Sequence, residues 1–321
     1  MDGAPPRYVR DSDSCGAQEF PSKRVWGYRI DMMRRVRIPS FLQRLCVLLT
    51  LSCVSPLAAQ AQEPLPIVIG LTPVFLDNEA AFLQRFRDYL QDRMQRRVVF
   101  VQRGSYREVV DLVRTGRLDF AWICGYPYVR YAREMRLLAV PLWRGEPLYQ
   151  SYVIVPASDT HTRSLLELRG KVFAYSDPDS NSGYLYPQYL LQQAQADPAS
   201  FFSRTFFTWA HRKVVDAVAA GLAQGGAVDG YVWETLSLQH PELTSRTRVV
   251  QKSPQFGHPP FVARASIGAG DFKAMQQVLQ RMAQDRDGQS LLRQLNLDGF
   301  VAGEPKLFEG IGKMARTVSP G

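Results

Sequence analysis

From Pro66 to Ile267, short apolar runs alternate with segments of helical period, and this alternation restricts the chain to an α/β fold. Pro66–Pro73 is an apolar run closed by proline, and it predicts a buried strand ending in a loop. Phe82, Leu83, Phe86, Tyr89, Leu90 and Met94 then recur at helical spacing. Strand Arg97–Gln102, a helix over about Ser105–Thr115 with Gly116 as its C-cap, and strand Leu118–Ile123 follow. A short helix near Tyr128–Met135 and strand Leu137–Leu142 complete one β-α-β-α-β series, whose strands should be parallel.

The alternation then repeats. Long strand Tyr149–Pro156 leads to strand Lys171–Ser176, a helix after Asn181, strand Phe206–Trp209 and helix Arg212–Leu222. Strands Val228–Trp233, Arg248–Lys252 and Phe261–Ile267 come next. Two amphipathic helices close the chain, one marked by Phe272, Met275, Val278, Leu279 and Met282, the other over Leu307–Ala315. Two series joined by two long strands, 149–156 and 261–267, predict a two-lobed α/β protein. Each lobe is expected to be a mostly parallel sheet flanked by helices, with a hinge between the two.

Charge and cysteine content need the front of the chain read apart. Residues 1–32 lack an apolar period, whereas Met33-Arg34-Arg35-Val36-Arg37, the apolar run Leu45–Leu57 and Ala59-Gln60-Ala61 make the three parts of a secretory signal peptide. Met32 or Met33 then reads as the true start, and an uncleaved anchor is the alternative. A lipoprotein signal through Cys53 is weaker, because Thr50 sits where leucine is usual. The whole chain of 321 residues carries a net charge of +9, but the 260 residues after Ala61 hold 30 Lys plus Arg against 25 Asp plus Glu, or +5. That charge is scattered, so a nucleic-acid partner is excluded. Three cysteines (Cys15, Cys46, Cys53) leave with the leader, and Cys124 alone cannot form an internal disulfide. The expected division is an extension plus signal peptide (1–61), the first part of lobe 1 (62–150), lobe 2 (151–262), and a return to lobe 1 with the C-terminal helices (263–321). The mature protein is expected to be exported.

Catalytic and metal motifs are absent from the sequence. It has no phosphate loop, no G-x-G-x-x-G after a strand and no G-x-S-x-G. His161, His211, His240 and His258 lack metal-ligand spacing, and no metal or other cofactor is expected. Cys124 reads as a packed residue, and Asp177 and Asp179 beside Pro178 as turn formers. One segment points to a ligand: Ser176-Asp177-Pro178-Asp179-Ser180-Asn181-Ser182-Gly183-Tyr184 leaves a strand and enters a helix. Hydroxyls at Ser180 and Ser182, close backbone approach at Gly183 and unpaired N–H groups at a helix start suit an anion. Capping alone would explain one of the two serines.

The same stretch resembles the Ser-x-Ser-Gly-Tyr signature of the periplasmic phosphate/phosphite/phosphonate-binding proteins of ABC transporters, the PhnD-like family. Gly116–Trp122, Leu142–Tyr152, and His211 with Val214, Val215, Ala217, Val218, Gly221 and Val228-Asp229-Gly230 resemble further family blocks in the family's order. The resemblance runs from about Leu65 to Ala315. It implies a type II periplasmic-binding-protein fold that captures a small oxyanion between its lobes, as a monomer, and delivers it to an ABC permease. A sensor input to a membrane-bound kinase is the alternative, and an enzyme on this fold is a third option. Carried over by position, Ser180, Asn181 and Ser182, with Gly183, would hold the anion's oxygens, and His211 would donate to the same group. Tyr126 or Tyr128 would close over the ligand from lobe 1. Phe75 falls where the family often has a tyrosine. Glu234 lies near the position of a carboxylate for a ligand ammonium, although a solvated helix-start glutamate is the preferred reading, and His258 stands where a second acid can occur.

Overall fold

A computed structural model of the chain describes residues 64–73 and 80–318. The signal-peptide segment, its three cysteines and Phe75 lie outside the described residues. Those that are described fall within one compact unit, 63–321.

The first sheet begins with β1 (Ile67–Leu71), which pairs in parallel with β2 (Val98–Gln102) and β3 (Phe120–Trp122). Between them run α1 (Ala80–Met94) and α2 (Tyr106–Arg114), which pack their predicted apolar faces inward: Phe82, Phe86, Tyr89 and Leu90 in α1, Val109, Val110 and Val113 in α2. A reciprocal box of Ser105 and Glu108 starts α2. The sheet is completed by β4 (Met135–Leu142) and two late strands, β12 (Phe261–Arg264) and β13 (Gly299–Ala302), in the order β13-β4-β12-β3-β1-β2. Because β12 is inserted between β3 and β4 and pairs antiparallel with both, β1 to β4 still point one way while β12 and β13 oppose them. Trp122 of β3 stacks on Phe261 of β12 at 4.8 Å between ring centroids, which ties the late strand into the core.

The second sheet has the order β10-β6-β9-β7-β8, from β6 (Ser151–Pro156), β7 (Val172–Tyr175), β8 (Arg204–Phe207), β9 (Gly225–Asp229) and β10 (Thr247–Lys252). β7 is parallel to β8 and β9, and β6 alone runs against its neighbours. The chain passes between the sheets at β5 (Leu148–Tyr149) and β11 (Phe256–Gly257), which pair antiparallel with each other. A smaller core of Phe173, Tyr175, Phe201 and Phe202 fills one side of the second sheet, and the main core continues from its other side into the first.

Several elements depart from expectation, among them the helix near Tyr128–Met135, which instead runs over Gly125–Arg130 and is followed by β4 from Met135. The run Val228–Trp233 is not one strand: β9 stops at Asp229, whose carboxylate accepts the N–H groups of Tyr231 and Val232 and starts α6 (Gly230–Gln239). Local capping outweighs the β-propensity of Tyr-Val-Trp. Strand 206–209 ends at Phe207, because Trp209 takes a φ of 67°. Near the C-terminus, the helix Arg286–Leu295, capped by Asp285, and β13 were not anticipated.

Candidate anion-binding site

The carboxyl ends of parallel strands converge on one place: Ser176 follows β7, Asp229 ends β9, Cys124 follows β3 and Tyr106 follows β2. Ligands of open α/β sheets bind at such ends. After β7 the chain makes a tight turn in which Asp177 Oδ1 accepts the Asp179 N–H at 2.7 Å. Ser180 then caps a π-helical turn, Asn181–Leu185, by accepting the Gly183 N–H at 3.0 Å, and the turn runs into α4 (Tyr186–Gln193). Gly183 is required by close approach. A Cβ there would collide with Ser176 Oγ, lie 2.7 Å from Ser176 Cβ and lie 3.1 Å from His211 Cε1. Ser176, Gly183 and His211 are therefore packed against one another.

Four polar atoms in this region are buried without a hydrogen-bond partner: Ser182 Oγ, Ser176 Oγ, Asn181 Oδ1 and the Tyr106 hydroxyl. Each such atom costs about 1–3 kcal/mol when left unpaired, so their concentration in one region calls for a ligand. Tyr106 enters from the start of α2, its N–H on Asp177 Oδ2 at 3.0 Å. Tyr149 also joins the site, since Asn181 Nδ2 donates to its hydroxyl at 2.9 Å. Burial pushes the Tyr149 phenol well above its usual range, and the adjacent Asn181 and Ser182 side chains oppose this. The Asn181 backbone N–H is taken by Cys124 Sγ at 3.2 Å.

The surroundings are electrically quiet. His211 begins α5 (His211–Ala219), and burial pushes its pKa down to about 3. Its Nδ1 accepts the Asp229 N–H at 3.0 Å, so the neutral ring carries its proton on Nε2. Burial raises Asp229 to about 8, against the opposing N–H groups of Val232 and Tyr231. Burial likewise raises Asp177 to about 6, against the N–H groups of Tyr106 and Asp179. His258 lies among the rings of Tyr149 and Tyr231, 5.6 and 4.9 Å away, and burial lowers it to about 3. Neutral dipoles of this kind can hold an oxyanion without a paired cation. Among the described residues no group of three His, Cys, Asp or Glu side chains could hold a metal ion.

The structure sorts the sequence candidates. Ser180, Asn181, Ser182, Gly183 and His211 come together. Of the two tyrosines in α3 (Gly125–Arg130), Tyr128 packs edge-on to Phe308 at 4.9 Å, while Tyr126 lies under Arg130, which reaches Asp179 of the site loop. Glu234 has other partners. Its carboxylate accepts from the Tyr152 hydroxyl at 2.9 Å and from Arg144 at 3.1 Å, and it lines a separate cavity of about 120 Å³ with Trp143, Leu238 and Asp298. Tyr106, Tyr149 and Ser176 were not foreseen. No local signal marks the two tyrosines, whose partners Asp177 and Asn181 lie 71 and 32 residues away in the chain.

Comparison with known proteins agrees with this architecture. The family model for phosphonate periplasmic substrate-binding proteins of ABC transporters matches residues 69–308. A probable ABC transporter phosphite-binding protein, PhnD1 of Prochlorococcus marinus, is 23% identical over 246 residues, covering 73% of this chain and 83% of that one. The phosphate-import protein PhnD of Mycolicibacterium smegmatis is 27% identical over 228 residues, covering 67% and 68%. The crystal structure of Prochlorococcus marinus PhnD1 in complex with methylphosphonate superimposes with a TM-score of 0.71 at 20% identity, covering 79% of this chain and 98% of that one. The fold is that of the type II periplasmic binding proteins, and the chain belongs to the phosphonate-binding family of periplasmic substrate-binding proteins of ABC transporters.

Proposed function

We propose that this protein captures a small tetrahedral oxyanion of the phosphate, phosphite or phosphonate class between its two lobes and delivers it to a membrane permease. The observation that carries this reading is the set of buried, unpartnered atoms: Ser182 Oγ, Ser176 Oγ, Asn181 Oδ1 and the Tyr106 hydroxyl. Exchanging the two ends of the Asn181 amide would let Tyr149 donate to Oδ1 and would free the NH₂ for the anion, so every group could then donate. His211 Nε2–H would supply a further neutral donor, and Tyr126 would close over the ligand from lobe 1. Relatives named for phosphite and phosphate support the same ligand class.

The action is binding without turnover. Burial lifts the Cys124 thiol to about 12, which keeps it protonated and unsuited to nucleophilic attack. The protein would act as a monomer, and the basic–apolar–Ala-x-Ala leader would bring it to the periplasm. The family is a transport family, which favours a permease over a sensor kinase as partner.

The reading is tested by thermal shift of the purified protein with phosphate, phosphite, methylphosphonate, 2-aminoethylphosphonate and sulfate. A ligand at 100 times its Kd should add about 2.7 kcal/mol of stability and raise Tm visibly. Absence of a shift with every phosphorus oxyanion contradicts it.

A further inference from the structure

Two carboxylates lie beside the anion site, where negative charge should be unwelcome, and their partners explain why they are there. Asp177 and Asp179 follow β7 of the second sheet, yet they bind helices of the first. Asp177 Oδ2 accepts the N–H of Tyr106 at the start of α2. Asp179 accepts two hydrogen bonds from Arg107 of α2, at 2.8 and 3.1 Å, and a third from Arg130 of α3 at 3.2 Å. The Asp179 side chain is only 3% exposed, whereas those of Arg107 and Arg130 are 50% and 39% exposed. A buried carboxylate needs such partners, but if the lobes part, all three side chains return to water and nothing is left unsatisfied. The pairing therefore joins the loop after β7 to two helices of the first sheet, so parting of the lobes would break it.

We propose that Asp177 and Asp179 form the closing latch of this protein, drawing α2 and α3 of the first lobe onto the site loop and so positioning the Tyr106 hydroxyl over the bound oxyanion. The proposal rests on the oxyanion reading above and adds to it the groups that hold the closed form. The latch neutralises both carboxylates toward the ligand: Asp177 by two backbone N–H groups, Asp179 by two guanidiniums. Because the half-exposed arginines limit each ion pair, its loss acts chiefly by shortening the life of the closed complex. Tyr106 is carried on the same turn as Arg107, so latch and ligand contact move as one piece.

The test is calorimetry and stopped-flow dissociation with methylphosphonate and phosphite on wild type, Asp179→Asn, Arg107→Gln, the double variant and Ser182→Ala. Each latch variant is expected to weaken binding about tenfold, mostly through faster dissociation. The double variant should lose little more than either single one, because one interaction is removed twice. Unchanged affinity and dissociation in both single variants, with Ser182→Ala inactive, overturns the latch and leaves the oxyanion reading standing, as do losses that simply add. If wild type binds neither probe the oxyanion reading fails, and small-angle X-ray scattering of the unliganded proteins then decides the latch. Asp179→Asn should be more extended than wild type, and identical profiles overturn the proposal.

Discussion

Nδ1 of His211 accepts the backbone N–H of Asp229 at 3.0 Å, which fixes the ring as the Nε2–H tautomer, with its Cε1 edge against the Gly183 turn. Long-range ¹H–¹⁵N NMR of the imidazoles should therefore show His211 neutral and Nε2-protonated from pH 7 to about pH 4, since burial lowers its pKa from 6.5 to about 3. A signal titrating near pH 6.5 would contradict this. The sign for stability follows. The folded state resists a proton that the unfolded state takes below pH 6.5, so the contribution is intact above that pH and is lost progressively toward pH 3. His258 acts in the same window, and His211→Gln should flatten the acid limb of a stability profile by one of these two protons.

Ser180 and Ser182 should separate on mutation, because one caps and the other is idle. Ser180→Ala removes the acceptor of the Gly183 N–H and should cost about 1 kcal/mol by urea unfolding. Ser182→Ala removes a buried hydroxyl with no partner and should leave unliganded stability unchanged or slightly raised, while oxyanion binding is lost. The opposite pattern would assign the capping role to the wrong serine.

Gly183→Ala should destabilise the fold by about 1–3 kcal/mol and abolish binding, because the added methyl collides with Ser176. Combining it with Ser176→Gly should recover stability, measured as Tm, without recovering affinity, since Ser176 Oγ is itself a proposed donor.

Glu234→Gln should leave phosphite and methylphosphonate affinity within twofold, because its carboxylate is already engaged by Tyr152 and Arg144. A loss of more than about tenfold would return Glu234 to the site.

Much of this was legible in sequence, and the rest was hidden for physical reasons. The inward faces of α1 and α2 were written in the spacing of Phe82, Phe86 and Leu90 and of Val109, Val110 and Val113, because helix periodicity is a local property. The strand–turn–helix around Ser180–Gly183 was equally local. α6 was missed because Val228–Trp233 has strand composition, and only the capping by Asp229 decides otherwise. Tyr106 and Tyr149 could not be chosen from pattern alone. They meet Asp177 and Asn181 across 71 and 32 residues of chain, and nothing in their neighbours marks them. Asp177 and Asp179 look like turn residues, and Asp177 is one. Their second set of partners exists only once α2 and α3 are brought against the loop after β7.

The most direct measurement is isothermal titration calorimetry of methylphosphonate and phosphite into the purified protein and into Ser182→Ala. The site described here requires one equivalent of oxyanion bound by the wild type and no measurable heat of binding in the variant. Failure of the wild type to bind either ligand, or equal affinity in Ser182→Ala, would contradict it.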